Sequence, residues 1–328
     1  MKQFLRIRRG ASPGLPASSV DHRPGPPSRG WARLALLPLS LLFSPVLAQS
    51  TLEFAPGAGN PTGSGPSIAP QVITFQNNPD NPVANTFTPF TPTTTATFTL
   101  SNQQYALSTL TQMSTGTGVA FGAGSNSAGS AATALALFPA LNSIGASTDA
   151  NYTSVSGASG GLSTTANNGV EVYTSVEGLP YNAPPNARYQ FADLTITFNR
   201  AVVNPVVHLT GLGSTTTTPT TSLGISTELD LLTPGLTLSE LSGSPELDIR
   251  PTQIRNSAAV PAAATGSGAA SGSVQVTTPA AGITSLQFRI FLRGQASGGG
   301  LWHDLISTTH SGDGWLIGVS ALTPGDVL

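Results

Sequence analysis

Short segments in which apolar and polar residues alternate recur along most of this chain. Clear examples are 95–103, 191–199, 284–294 and 314–322, which are separated by stretches rich in Gly, Pro, Asn, Ser and Thr. A period of two places the apolar side chains on one face of an extended strand. Helical periodicity is nearly absent, and 130–143 is the best candidate for a short helix or strand. The sequence therefore predicts an all-β fold, an antiparallel β-sandwich of jelly-roll or lectin-like type with at most one short helix.

The first 48 residues are predicted to be a secretory signal peptide. A basic region precedes the apolar run 34–48, and Val46 and Ala48 supply a small-residue cleavage site. The run is short and interrupted by prolines, so no membrane insertion is expected after cleavage. Residues 49–70, rich in Gly, Pro and Ser, are predicted to be a flexible leader. Residues 71–328 then form one β-sandwich domain of a protein that is secreted or held at the cell surface.

Removal of residues 1–48 changes the charge of the chain. Seven of the 13 basic residues lie there, but only one of the 15 acidic residues, which leaves six arginines against 14 acids and a net charge of −8. A sparsely charged, acidic surface argues against nucleic acid as a partner. The chain has no cysteine, so disulfides are excluded and stability must come from packing and backbone pairing.

The segment 198–213, FNRAVVNPVVHLTGLG, reads as a strand with a proline inside it. Proline removes one ladder hydrogen bond, so we expect either an edge strand or a strand bulged at Asn204 and Pro205. The alternation places His208 on the polar face together with Thr210. We expect His208 to be structural and hydrogen-bonded on the sheet, with a ligand or catalytic role as the less favoured alternative.

The same segment resembles a motif in the non-repetitive, lectin-like domain of CshA-type fibrillar adhesins of bacteria. The stretches 236–249, 271–294 and 311–320 are similar to that domain as well. The resemblance implies a β-sandwich that binds host or environmental macromolecules, including matrix proteins such as fibronectin. The residues of 198–213 that carry it are Arg200, Val203, Asn204, Pro205, His208, Leu212 and Gly213.

No motif gives a strong indication of catalysis. Ser159 in GASGG formally matches a nucleophile elbow, but the surrounding stretch is so rich in Gly and Ser that the match is expected by chance. Glycoside hydrolysis needs two acids positioned in a cleft. The pairs Glu228/Asp230 and Glu246/Asp248 are each two residues apart, and the sequence leaves open whether they face a groove. We therefore predict that the protein is not an enzyme, with an exported polysaccharide hydrolase as the least favoured alternative.

Metal ligands are sparse as well. His303, Asp304, His310 and Asp313 lie near one another in the sequence, without a metalloprotease motif or a cysteine pair. Oxygen ligands from Asp304 and Asp313 would suit calcium, but solvated loop acids are the commoner case. No cofactor is predicted.

Aromatic residues in loops give the better functional signal. Tyr181 and Asn182 lie in a loop rich in Pro and Asn, and Trp302, His303 and Asp304 directly follow a glycine-rich stretch. An exposed aromatic beside polar neighbours suits stacking on a sugar or anchoring a protein contact. These five residues form the predicted ligand site, provided that both loops lie at the same end of the sandwich.

The sequence favours an adhesin-type binding module that recognises an extracellular protein, such as a fibronectin-like matrix protein, or a glycan. The alternative is a structural component of an extracellular matrix or surface layer, in which copies of the chain associate with one another.

Overall fold

Every segment with a clear alternation of apolar and polar residues forms a β-strand. The computed structural model describes residues 51–79, 84–105, 117–125, 133–145, 147–154, 161–180, 182–217, 222–258, 268–295, 301–302 and 312–324. The strands in these residues are β1 (Thr51–Glu53), β2 (Gln71–Thr74), β3 (Gln76–Asn78), β4 (Thr88–Pro89), β5 (Thr95–Ser101), β6 (Val119–Phe121), β7 (Ala123–Gly124), β8 (Thr133–Ala134), β9 (Val170–Ser175), β10 (Arg188–Leu212), β11 (Ser214–Thr217), β12 (Ser222–Leu231), β13 (Thr237–Gly243), β14 (Leu247–Arg250), β15 (Gln253–Asn256), β16 (Ala270–Thr277), β17 (Ile283–Gln295) and β18 (Gly312–Leu322).

The helical elements of the described residues are short 3₁₀ turns at Leu141–Ser143, Asp149–Asn151 and Val176–Gly178. The segment 130–143, which was the best helical candidate, contains only β8 and the first of these turns in its described part. The all-β prediction is therefore confirmed.

The strands form two antiparallel sheets that share one strand. Sheet I has the order β14-β15-β12-β17-β10-β5-β2, with β11 also paired to β12. Sheet II has the order β13-β16-β10-β18-β9-β6. Strand β1 pairs with both β18 and β3, β3 pairs with β4, and β7 and β8 form a separate hairpin.

The two sheets pack on each other through one hydrophobic core. Alternate residues of β17 face the core from sheet I, as Phe288 and Ile290 do, and Leu209 and Ile317 face it from sheet II. Each of these side chains is fully buried. Burial of a side chain of this size stabilises the fold by about 1.5–3 kcal/mol, so the alternation read from the sequence is what holds the sheets together.

Strand β10 passes from sheet I to sheet II at its Asn-Pro pair. Its pairing with β5 ends at Phe198, and its pairing with β18 begins at Val203 and shifts register before Val206. Asn204 has a φ of 43°, in the left-handed region, and its Oδ1 accepts a hydrogen bond of 2.9 Å from the backbone N–H of Thr278. Because β10 has neighbours on both sides, the edge-strand alternative is wrong and the bulge is confirmed.

The prediction of a flexible leader over residues 49–70 is wrong for its first described part. Strand β1 pairs with β18 and β3, and Leu52, Phe54 and Ala55 are at most 1% exposed. The ring of Phe54 packs against that of Phe75, with centroids 4.7 Å apart. The Gly- and Pro-rich composition of the segment as a whole hid these few apolar residues, and they are enough to anchor it in the core.

The sandwich therefore includes described residues before the predicted boundary at residue 71, since β1 is one of its strands. The predicted signal peptide, 1–48, lies outside the described residues and stays a prediction. Within the described part of the chain, no helix has the length and apolarity that crossing a bilayer requires.

Candidate functional site

The predicted ligand site is only partly covered by the structure. Tyr181, His303 and Asp304 lie outside the described residues. Asn182 is exposed in a turn, as an accessible polar contact would be. Trp302, by contrast, is fully buried, so its predicted exposure is wrong.

Trp302 packs against the loop that contains Asn182, and these contacts bury its ring. Its indole Nε1–H donates a hydrogen bond of 3.2 Å to the backbone carbonyl of Pro184, and its ring meets Tyr189 edge to face, with centroids 5.6 Å apart. Gly294 lies so close to the same loop that a Cβ at this position would overlap the carbonyl oxygen of Pro185. The described residues of the two predicted loops, 182–187 and 301–302, therefore meet where β10 begins and β17 ends, with Trp302 as a buried support and not as a binding surface.

Two tyrosines replace Trp302 as accessible aromatics at this end. Tyr189, the second residue of β10, is half-buried, and its hydroxyl donates to the Pro184 carbonyl at 3.3 Å. Tyr105, also half-buried, packs its ring against Phe191, with centroids 4.8 Å apart. Burial, and to a lesser extent the phenol of Tyr189, raise the pKa of Tyr105.

We call Tyr105, Tyr189, Phe191, Trp302 and Asn182 the aromatic end. The sequence offered a weak signal for it, because Tyr189 closes the same Pro/Asn-rich loop in which Tyr181 was singled out. Tyr105 gave no signal, since it follows β5 by four residues in an irregular stretch. The aromatic end can stack on apolar faces through its half-buried rings and form hydrogen bonds through phenol and amide groups.

A second polar arrangement covers the outer face of sheet I. Arg188 donates to Glu228 at 2.6 Å and to Asp230 at 2.7 Å, and its guanidinium lies 3.5 Å above the centre of the Phe291 ring. Arg293 donates to the other oxygen of Glu228 at 2.5 Å. The Glu228/Asp230 pair therefore lies on the outer face of sheet I, where Glu228 is buried beneath the arginines and both acids are held in ion pairs.

The same face carries a further ion pair between Arg289 and Asp193, at 2.8 Å. Burial alone would raise the pKa of Asp193, but the hydrogen bonds from Arg289 and Asn102 outweigh it and lower the pKa. We call this set the arginine ladder. Its members are Arg188, Arg289, Arg293, Glu228, Asp230 and Asp193. The ladder fixes the neighbouring strands of sheet I to one another.

The two acids of the other predicted pair, Glu246 and Asp248, have different surroundings. Asp248 forms an exposed ion pair of 3.1 Å with Arg250, whereas Glu246 accepts a hydrogen bond from Ser257 through its backbone carbonyl. Ser159, the formal nucleophile of the elbow motif, lies outside the described residues.

Asp313 is not the solvated loop acid that the sequence suggested. It lies in β18, is fully buried, and accepts hydrogen bonds from the backbone N–H groups of Gly213 at 3.1 Å and Thr227 at 2.6 Å. Burial raises its pKa to about 7 despite these bonds. No cluster of three or more potential metal ligands exists within the described ranges, and Asp304 lies outside them.

His208 is placed as predicted, hydrogen-bonded on a face of sheet II. Its Nδ1 lies 2.8 Å from the hydroxyl of Ser273, and its Nε2 lies 2.9 Å from that of Ser320. Complete burial lowers its pKa to about 3, so the ring is neutral at physiological pH.

Comparison with known proteins adds nothing to this geometry, because no protein-family model, curated protein or solved structure matches the chain. The resemblance to the CshA-type adhesin domain therefore stays a prediction.

Proposed function

We propose that this protein is a binding module, secreted or held at the cell surface, that recognises an extracellular protein or glycan through its aromatic end. The observation that carries the proposal is the pair of half-buried tyrosines, Tyr105 and Tyr189, beside the exposed Asn182. Rings that are fixed on one side and open on the other provide contact area at little conformational cost.

The support beneath the rings strengthens the proposal. Trp302 and Phe191 are fully buried and contact Tyr189 and Tyr105, respectively. Binding to such a site needs little ordering of loops, and a preorganised site loses less free energy on association. We favour binding over catalysis because Glu228 and Asp230 are already bound by arginine, which leaves them poorly suited to act as a general acid and a nucleophile.

The test is a screen of the mature protein against an array of glycans and an array of extracellular-matrix proteins. We expect at least one ligand whose binding is reduced 10-fold or more by both Tyr189→Ala and Tyr105→Ala, the range expected for aromatic anchors. The matched control is Val72→Ala, which removes a side chain that is 50% exposed on another part of sheet I.

Binding that survives both tyrosine substitutions would contradict the aromatic end as the site. Concentration-dependent self-association without any ligand, measured by analytical ultracentrifugation, would favour the structural alternative instead.

A further inference from the structure

The place where β10 changes sheets leaves a depression in the surface. The last residue of β10 that pairs with β5 is Phe198, and the first that pairs with β18 is Val203. Between them β5 and β18 diverge, and a pocket of about 470 Å³ opens there. This size is within the ordinary range of small-molecule sites. Its lining includes Phe90, Pro92, Arg200, Ala201, Thr323 and Pro324.

The walls of this pocket are held in place by the strand itself. Asn199 accepts a hydrogen bond of 2.8 Å from the N–H of Thr95 and donates one of 3.0 Å to the carbonyl of Thr93. Arg200 donates through Nη1 to the carbonyl of Pro92 at 3.4 Å. The segment that contributes Phe90 and Pro92 is therefore fixed to β10 before any ligand arrives.

Arg200 is unusual among the arginines of the described residues. The five others, Arg188, Arg250, Arg255, Arg289 and Arg293, each have a carboxylate within 4.0 Å. Within the part of the chain that the structure describes, Arg200 has no carboxylate partner, and its one hydrogen bond goes to a backbone carbonyl. A guanidinium has five N–H donors in a fork that matches a carboxylate. Most of that capacity is directed at the pocket or at solvent.

We infer that the Arg200 pocket binds one carboxylate carried on a compact ring, the chemistry of a uronic-acid sugar residue. Arg200 supplies one positive charge that no carboxylate of the described residues compensates, and this matches one carboxylate of a ligand. Phe90 and the prolines supply apolar surface for the C–H face of a sugar ring. An extended polyanion is disfavoured because the chain after residue 48 carries a net charge of −8, which repels it.

This inference does not rest on the proposed function. Tyr189 and Arg200 lie eleven residues apart on β10, which corresponds to roughly 35 Å of extended strand. The two sites are therefore separate, and the loss of one in a variant leaves the other available as an internal check.

The test uses methyl β-D-glucuronide and methyl β-D-glucoside, which differ only in carrying a carboxylate or a hydroxymethyl group. Each is titrated into the ¹⁵N-labelled mature protein, and the amide signals of Ala201 and Thr323 are followed by NMR. We expect the glucuronide to bind at least 10-fold more tightly than the glucoside. In Arg200→Gln that preference should vanish, and Phe90→Ala should weaken both sugars.

The matched control is Arg250→Gln, which removes an exposed, ion-paired arginine at the edge strand β14 and should change nothing. Equal binding of the two sugars by the unaltered protein would overturn the inference without any variant. Retention of the preference in Arg200→Gln would overturn it as well. N-acetyl-L-alanine presents a peptide-type carboxylate, and binding as tight as that of the glucuronide would overturn the sugar assignment.

Discussion

His208 illustrates, at the scale of a residue, how a polar side chain is used as architecture inside a sheet. Both of its ring nitrogens are bonded to serine hydroxyls, one from β16 and one from β18, so it bridges the two neighbours of β10. Its neutrality follows from complete burial, which penalises the charged form. A side chain so fully engaged is not available to a ligand.

Substitution of His208 tests that role. We expect His208→Gln to destabilise the fold by about 1–2 kcal/mol, because one amide cannot reach both hydroxyls and a buried group loses its partner. Urea unfolding measures the change. Ser285→Ala, on an exposed position of β17, is the control and should stay within about 0.5 kcal/mol of the unaltered protein. Ligand binding should be unchanged, and its loss without a change in stability would point to a direct role.

Strands are the elements that the sequence predicts best here, since alternation reports directly on a buried face. The bulge at Asn204 was also foreseeable, because proline cannot complete a ladder. The integration of β1 was not, since three strand residues inside a Gly- and Pro-rich segment give no period. The burial of Trp302 was equally hidden. It depends on a contact with Pro184, 118 residues earlier, and local patterns carry no information at that range.

Asn204 belongs to this scale because it shapes a whole strand. Its φ of 43° suits asparagine and glycine, and its side-chain oxygen accepts a hydrogen bond from the backbone N–H of Thr278. We expect Asn204→Ala to destabilise the protein by about 2–3 kcal/mol, from a strained backbone and a lost hydrogen bond. Asn204→Gly relieves the strain and should be less costly by about 1 kcal/mol. Chemical unfolding of the two variants compares them directly, and equal losses would show that the backbone conformation contributes nothing.

At the scale of the whole molecule, buried ionisable groups make the stability of the fold depend on pH. Burial raises the pKa of Glu171 to about 8, and it raises those of Glu53 and Asp313 to about 7. These acids are protonated in the folded state at a pH where they ionise on unfolding. Their contribution is complete below about pH 4 and is lost as the pH rises through 7 to 8. His208, with its lowered pKa, acts oppositely, and its contribution is lost as the pH falls from 6.5 towards 3.

We therefore expect the melting temperature to be highest near pH 4 to 4.5 and to fall as the pH rises to about 8, because the three acids outweigh the single histidine over this range. Glu171→Gln tests the cause, because Oε1 of Glu171 has no hydrogen-bond partner in the described structure and the amide cannot ionise. The decline between about pH 4 and 8 should be shallower in this variant. A melting temperature that is the same at pH 5.5 and 8.5 would contradict the expectation.

The passage of β10 through both sheets has a mechanical consequence. Hydrogen bonds in an antiparallel ladder run across the strands, so a pull along β10 loads those to β5 and β17 and those to β16 and β18 side by side. The bonds then share the tension instead of opening one after another. If the protein holds a ligand against flow, the force along β10 would therefore be distributed over both sheets, and the two sheets would unfold together.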